Sequence, residues 1–411
     1  MSRYAATPRY ASLALAIAAG AALPAPAVLA QSAQPSSAQA PAVSDSGDTT
    51  TCPVASIDRI AKTLMSDYEI PGMSVGISHQ GQRCVRHYGV AALGKDGAVD
   101  DATLFEIGSV SKTLTAALAA YAQETGHLKW QDRVADHQAE LADTPIGDAT
   151  LLELGTYSAG GLPLQFPSDV NDATLLDYYR QWQPDFASGT QRLYSNPSIG
   201  LLGDLAARSL ARSSDRPFAK VMSDTLLPRW QMSHTYLEVP PSEAEHYAFG
   251  VSPDNPRTRV TPGPMDAQAY GIKTTAQDML TFIEANMASY QGDTMMDRAL
   301  LSTHQGYAAV GPMHQGLGWE SYAYPATLET LLAGNSSDMA LKPQSLVWLT
   351  PEASPSPDRW INKTGSTFGF GAYAAFVPAE RLGIVILANK RYPNAERVEA
   401  AYRISEAMSA P

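Results

Sequence analysis

This sequence has little cysteine, no cluster of histidines and no excess of basic residues. Its 411 residues include two cysteines and eight histidines. The histidines are scattered and form no H-E-x-x-H or comparable metal-binding pattern, so we expect no metal and no other cofactor. The formal net charge is -12, from 29 basic and 41 acidic residues. A chain with this balance and no long basic run is a poor partner for nucleic acid or an anionic membrane surface.

The N-terminus has the pattern of a secretory signal. Arg3 and Arg9 precede an apolar stretch that begins at Leu13, and small residues at 28–30 offer a cleavage site. This predicts a signal peptide over 1–30 and export to the periplasm. Glycine and proline interrupt the apolar stretch well before it could span a bilayer, so no membrane anchor is expected after cleavage. In an oxidising compartment the two cysteines could form a disulfide or remain as buried thiols.

Sequence patterns after the signal divide the chain into a leader and one catalytic domain. Residues 31–51 have almost no bulky apolar side chain, which predicts a disordered leader before a domain over 52–411. Apolar residues at helical spacing from Ile57 to Leu64 predict a first helix, and the alternation from Met73 predicts a strand and a hairpin.

Strand-like runs cluster at the two ends of the domain. They recur at 372–377 and 382–388, ahead of a terminal helix over 395–408. The fold class predicted is a mixed α/β fold, in which one sheet is built from N- and C-terminal segments, helices flank it, and a mostly helical lobe is inserted. The predicted boundaries are a sheet lobe over 52–105 and 335–411 and a helical lobe over 106–334.

A serine three residues before a lysine marks the start of the second predicted helix. Ser109 and Lys112 would lie on one helix face, where the amine can reach the hydroxyl that it must deprotonate. A helix N-terminus also favours developing negative charge. The pattern alone is expected by chance about once in such a chain, and its other interpretation is a solvated surface pair.

Two further motifs follow in a constrained order. They are Tyr194-Ser195-Asn196 and Lys363-Thr364-Gly365. S-x-x-K, a middle triplet ending in Asn, and K-T-G occur together in β-lactamases and penicillin-binding proteins. Taken alone, Tyr194 would be a half-buried aromatic and Lys363 a charge at a strand edge; taken together and in order, the three motifs predict a catalytic serine site.

Beyond these motifs, the sequence resembles the class C β-lactamases from about Ile57 to the C-terminus. The seven matching segments are 105–113, 160–165, 192–196, 266–271, 315–320, 363–367 and 387–394. The resemblance implies an antiparallel, β-lactamase/transpeptidase-like fold and an enzyme that hydrolyses β-lactam antibiotics, most of all cephalosporins, through an acyl-enzyme on Ser109. It departs from the family pattern at three positions: Asn362, Phe368 and Arg391.

The resemblance also implies roles for individual residues. Ser109, Lys112, Tyr194 and Lys363 would be catalytic, with Lys112 or Tyr194 as the general base. The proximity of Lys112, Tyr194 and Lys363 would lower the pKa values of all three groups. The oxyanion would be held by the N–H groups of Ser109 and Ser366. The remaining substrate-binding residues implied are Gln165, Asn196, Tyr270, Thr364, Gly365, Asn394 and Arg397.

Alternatives on the same scaffold are a D-alanyl-D-alanine carboxypeptidase, an esterase, and a penicillin sensor that acylates without turnover. The only partner predicted is a small-molecule β-lactam, bound by a monomer. A separate G-x-S-x-G pattern centred on Ser74 resembles the nucleophile elbow of α/β-hydrolases. That elbow needs a strand, a turn and a helix, whereas Ser74 is expected to continue a strand.

Overall fold

A computed structural model describes residues 52–94, 97–211 and 217–409. The predicted signal peptide and leader lie outside these residues. All described residues belong to one compact unit. Among the described helices, none is both long enough and apolar enough to cross a bilayer.

The strands, in chain order, are β1 (Gly72–His79), β2 (Gln82–Gly89), β3 (Phe105–Glu106), β4 (Gln191–Arg192), β5 (Thr235–Tyr236), β6 (Lys273–Thr274), β7 (Gly306–Val310), β8 (Met313–Gln315), β9 (Glu320–Ala323), β10 (Gln344–Ser345), β11 (Val347–Ala353), β12 (Arg359–Ser366), β13 (Gly371–Val377) and β14 (Leu382–Ala388). The helices are α1 (Val54–Asp67), α2 (Ser111–Glu124), α3 (Val134–His137), α4 (Pro145–Asp148), α5 (Leu151–Gly155), α6 (Leu175–Gln181), α7 (Asn196–Ala211), α8 (Phe218–Thr225), α9 (Asp266–Ala269), α10 (Ala276–Ala288), α11 (Met295–His304), α12 (Leu328–Gly334), α13 (Ser337–Leu341) and α14 (Asn394–Ser409).

Within the described residues, nine strands form one antiparallel sheet. Its order is β11-β7-β8-β9-β12-β13-β14-β1-β2. The N-terminal hairpin, β1 and β2, joins the C-terminal strands where Val75 lies opposite Ile386. The prediction of a mixed α/β fold with one sheet from both ends of the chain is therefore confirmed.

The large sheet extends beyond the segments that were expected to form the sheet lobe. Strands β7, β8 and β9 belong to the large sheet, although their residues, 306–323, fall within the predicted helical lobe. These strands have only three to five residues each. Such short strands contain too few alternations to indicate a sheet from sequence alone.

Helices cover both faces of the sheet. Along β1, Val75 and Ile77 pack with residues of α1 and α14, while Gly76 lies against Leu280 of α10 on the opposite face. Successive residues of a strand point to opposite faces, so a strand buried on both sides is apolar throughout. This explains the unbroken apolar run 382–388, every residue of which is buried.

Cys52 and Cys84 form a disulfide with their Cα atoms 6.0 Å apart. The bond connects the segment just before α1 to β2. Of the two alternatives left open by the sequence, a disulfide or two buried thiols, the structure shows the disulfide.

Candidate active site

The Ser109 turn is a short 3-10 segment, Gly108–Val110, that leads directly into α2. The helix thus begins two residues later than the sequence predicted. Gly108 has a φ of +51°, and a Cβ on it would clash with the backbone of Ser366. Gly365 is packed just as closely, because a Cβ there would meet the carbonyl of Ile107. These two glycines allow the end of β12 to lie directly beside the serine.

Helix α2 is buried on all sides, which makes its lysine unusual. Every residue from Ser111 to Ala120 is buried, and Lys112 is fully inaccessible. Its Nζ lies 3.0 Å from Ser109 Oγ and 2.7 Å from the carbonyl oxygen of Ala269. Burial lowers the pKa of Lys112 well below its ordinary value; the nearby Lys363 lowers it further, and Glu320 acts in the opposite direction. The surroundings therefore favour a neutral amine, which can accept a proton.

Tyr194 lies between three basic side chains. Its ring centroid is 5.0 Å from Lys112 Nζ, 4.8 Å from Lys363 Nζ and 5.4 Å from Arg192 Cζ. Burial nevertheless raises the pKa of Tyr194, and the hydroxyl of Ser109 acts against that rise. Arg192 lowers this pKa, as expected of a neighbouring cation, but desolvation outweighs that effect and the net pKa is raised. Among the described residues, the buried Tyr194 Oη has no hydrogen-bond partner of ordinary geometry.

A buried carboxylate, Glu320, compensates part of this positive charge. Its Oε1 is 3.3 Å from Arg192 Nη2 and 3.7 Å from Lys363 Nζ. Arg192 also donates from Nε to Gln315 Oε1 at 2.6 Å and from Nη1 to the carbonyl of Met339. Sequence reasoning assigned no role to Arg192 or Glu320. The signal that could have found them is that both lie in the segments resembling known relatives.

These groups border a cavity of about 440 Å³, a volume typical of small-molecule sites. The predicted site residues that line it are Ser109, Gln165, Tyr194, Asn196, Tyr270, Lys363, Thr364, Gly365, Ser366 and Asn394. Lys112 lies behind Ser109, within hydrogen-bonding distance. On one wall, Asn196 Nδ2 donates to Gln165 Oε1 at 2.9 Å, so the two amides form a pair.

Arg397 does not line this cavity, and its predicted contact with a substrate carboxylate is not supported. Its side chain is fully buried. It donates from Nη1 to the Gly365 carbonyl and, at 2.9 Å, to Ser366 Oγ, and from Nη2 to the Tyr392 carbonyl. The structure instead assigns Arg397 to holding the end of β12 in place. The sequence could not distinguish a buried guanidinium from an accessible one.

The three departures from the family pattern occupy different places. Phe368 is 76% exposed at the rim of the cavity. Arg391 also lines the cavity and is exposed. Asn362 is fully buried and donates from Nδ2 to Asn335 Oδ1 at 3.0 Å. Two of the three therefore change the surface that a substrate meets.

Ser74 has hydrogen bonds like those of a catalytic triad but is not accessible. Its Oγ is 2.9 Å from His87 Nδ1, and His87 Nε2 is 3.0 Å from Asp101 Oδ1. Ser74 is only 1% exposed and lies in the middle of β1, between β14 and β2. The strand-turn-helix elbow is absent at this point of the described chain, as predicted. Across the described residues, no group of His, Cys, Asp or Glu is arranged to hold a metal ion.

The fold and this cavity are those of a serine hydrolase of the penicillin-recognising type. The family model for β-lactamases matches residues 57–409, and the chain belongs to that family. It is 47% identical to a β-lactamase of Pseudomonas fluorescens over 353 residues, which cover 86% of this chain and 98% of the relative.

Solved structures place the chain with the class C enzymes. A class C β-lactamase in complex with cefoxitin matches with a TM-score of 0.82 and 41% identity, over 86% of this chain and 98% of that one. A D-alanine carboxypeptidase from Burkholderia cenocepacia matches with a TM-score of 0.81 and 44% identity, over 86% of this chain and 99% of that one.

Proposed function

We propose that this protein hydrolyses the lactam amide of β-lactam antibiotics, in particular cephalosporins, through an acyl-enzyme on Ser109. The observation that carries this proposal is the contact of 3.0 Å between Ser109 Oγ and Lys112 Nζ, a buried amine with a lowered pKa. An accessible serine beside a proton acceptor is the arrangement that nucleophilic catalysis requires.

In the acylation step, Ser109 Oγ attacks the lactam carbonyl carbon and transfers its proton to neutral Lys112. The raised pKa of Tyr194 keeps its phenol protonated. That phenol is then available to protonate the departing lactam nitrogen as the C–N bond breaks. Lys112 returns a proton to the phenolate, so the proton of Ser109 ends on the nitrogen. These pKa directions favour Lys112 over Tyr194 as the base in the free enzyme.

The developing oxyanion is held by the backbone N–H groups of Ser109 and Ser366. Support comes from the close approach of Gly108 and Gly365 to the neighbouring backbone, which brings the two segments together. Each such donor typically contributes about 3 kcal/mol to transition-state stabilisation. Deacylation then needs a water molecule, and Tyr270, which lines the cavity, would limit where that water can lie.

Polar groups on opposite walls would orient the substrate. The amides of Gln165 and Asn196 would hold its side-chain amide, and Thr364 and Asn394 would hold its carboxylate. Lys363 is a buried cation on the same cavity. A cationic cavity in an acidic chain favours an anionic substrate.

Export is part of the proposal. We propose that residues 1–30 are removed as a signal peptide and that the mature protein acts in the periplasm as a monomer. The Cys52–Cys84 disulfide supports an oxidising compartment. The relatives named above are bacterial enzymes.

The alternative is a D-alanyl-D-alanine carboxypeptidase, which the match to the Burkholderia cenocepacia enzyme favours. The test compares steady-state turnover of a chromogenic cephalosporin with D-alanine release from a peptide ending in D-Ala-D-Ala. We expect many turnovers of the cephalosporin and little D-alanine. Release of D-alanine, together with a single stoichiometric reaction with the cephalosporin, would replace the β-lactamase assignment with the carboxypeptidase.

A further inference from the structure

A second buried carboxylate, Glu106, lies three residues before Ser109. It is 1% exposed and belongs to β3, where it pairs with Lys273 of β6. It does not line the cavity. Stability alone does not explain a buried carboxylate, because replacing a buried ionic group with an apolar one is often nearly neutral for stability.

The carboxylate of Glu106 joins three segments that are distant in sequence. Oε1 accepts hydrogen bonds from Tyr247 Oη and from the backbone N–H of Val260, the latter at 2.7 Å. Oε2 accepts a hydrogen bond from Thr367 Oγ1. Thr367 immediately follows Ser366, and both Thr367 and Val260 line the cavity. A single side chain therefore contacts the strand end next to Ser366 and the loop opposite it.

Two basic side chains, Lys273 and Arg259, lie close to Glu106. It interacts favourably with the charges of Lys273 and Arg259. The guanidinium of Arg259 in turn stacks over the Tyr247 ring, with Cζ 3.8 Å from its centroid. The loop that carries Tyr247 and Val260 is thus held to Glu106 by hydrogen bonds and by charge.

We propose that Glu106 is a positioning residue that fixes the N–H groups of Ser109 and Ser366 relative to each other. The inference rests on the proposed oxyanion role of those two groups. Ser109 follows Glu106 on a short, tightly packed turn. Ser366 is adjacent in sequence to Thr367, whose hydroxyl donates a hydrogen bond to Glu106. Oxyanion stabilisation depends on preorganised donors, and misplacement of a catalytic group by about 1 Å can cost around 100-fold in rate.

The test uses Glu106→Gln and Thr367→Val, each made alone and together. Glu106→Gln keeps the volume but replaces two charged acceptor oxygens with one amide oxygen and an NH2 group, which weakens the link to Thr367. Thr367→Val removes the hydroxyl of that link. We expect each to lower kcat for the chromogenic cephalosporin by about tenfold or more, with KM changed less than about twofold. Because both act on the same link, the double variant should be no slower than the slower single variant.

Glu284→Gln provides the matched control. Glu284 accepts a hydrogen bond from Ser78 at 2.7 Å and pairs with Arg83, away from the cavity. We expect it to lower the melting temperature without changing kcat. If Glu106→Gln and Thr367→Val likewise lower only the melting temperature, the positioning role is overturned. Should Glu106→Gln fail to fold, Thr367→Val decides alone, because it leaves Glu106 bonded to Tyr247 and Val260.

The parent protein separates this inference from the proposed function. No turnover by the parent would count against the β-lactamase assignment itself. An active parent beside fully active variants would count against the role of Glu106 alone.

Discussion

Ser109 and Ser74 each lie about 3 Å from a basic nitrogen, yet their surroundings differ in every other respect. Ser74 contacts His87, which contacts Asp101, but it is 1% exposed in the middle of a sheet. Ser109 contacts Lys112 on a turn that opens to a cavity, beside a strand end that can supply a second N–H donor. A serine beside a base is therefore not a nucleophile unless a substrate can reach it and preorganised N–H donors can stabilise the oxyanion.

The largest expected difference is between removal of the two serine hydroxyls. Ser109→Ala should lower kcat by roughly 10⁴-fold or more, because loss of a nucleophile removes the covalent route. Ser74→Ala should retain the parental kcat. It should lose about 1 kcal/mol of unfolding free energy, the usual contribution of one hydrogen bond. Cephalosporin turnover and urea unfolding of both variants measure this. Equal loss of activity in the two variants would break the comparison.

The base beside Ser109 should also control the acid limb of the pH profile. Lys112 must be neutral to accept the proton, so activity falls as the pH drops through its lowered pKa. Glu320 raises that pKa, and Glu320→Gln should therefore move the acid limb of kcat/KM to lower pH.

Glu284→Gln is the charge-matched control for that profile, and its acid limb should coincide with that of the parent. An unmoved limb in folded Glu320→Gln protein would mean that Lys112 is not the group whose protonation stops the reaction.

The smallest expected effect concerns the cavity rim. Arg391 lines the cavity, whereas its neighbour Lys390 pairs with Glu69 at 3.2 Å and does not. Arg391→Ser should raise KM for a cephalosporin carboxylate about two- to fivefold, since an exposed ion pair contributes roughly 0–1 kcal/mol. Lys390→Ser removes the same charge and should leave KM unchanged. Equal KM shifts in both variants would indicate a general charge effect instead of a contact.

Residues in local patterns could be placed from the sequence, and residues with distant partners could not. Ser109 and Lys112 are one helical turn apart, and ordered motifs brought in Tyr194 and Lys363; the structure places all four together. Glu106 was missed because its partners lie 141, 154 and 261 residues away. No local spacing indicates such contacts.

Burial was the other quantity that the sequence could not supply. Arg397 was expected at the substrate but is buried. Its accessibility is decided by how α14 packs on the sheet, which the sequence does not show. The raised pKa of Tyr194 has the same origin, since desolvation depends on the whole environment. The fold class could be predicted more easily. The long strands β1, β13 and β14 show an apolar pattern in their own sequence, whereas the strands β7 to β9 are too short to show one.

The central claim is that Ser109 forms an acyl-enzyme that is then hydrolysed. Rapid quenching followed by intact-mass and peptide mass spectrometry of the parent protein with a cephalosporin tests it most directly. We expect a covalent adduct on the Ser109 peptide that forms before the steady state and disappears as substrate is exhausted. An adduct on another residue, or one on Ser109 that persists without turnover, would contradict the account.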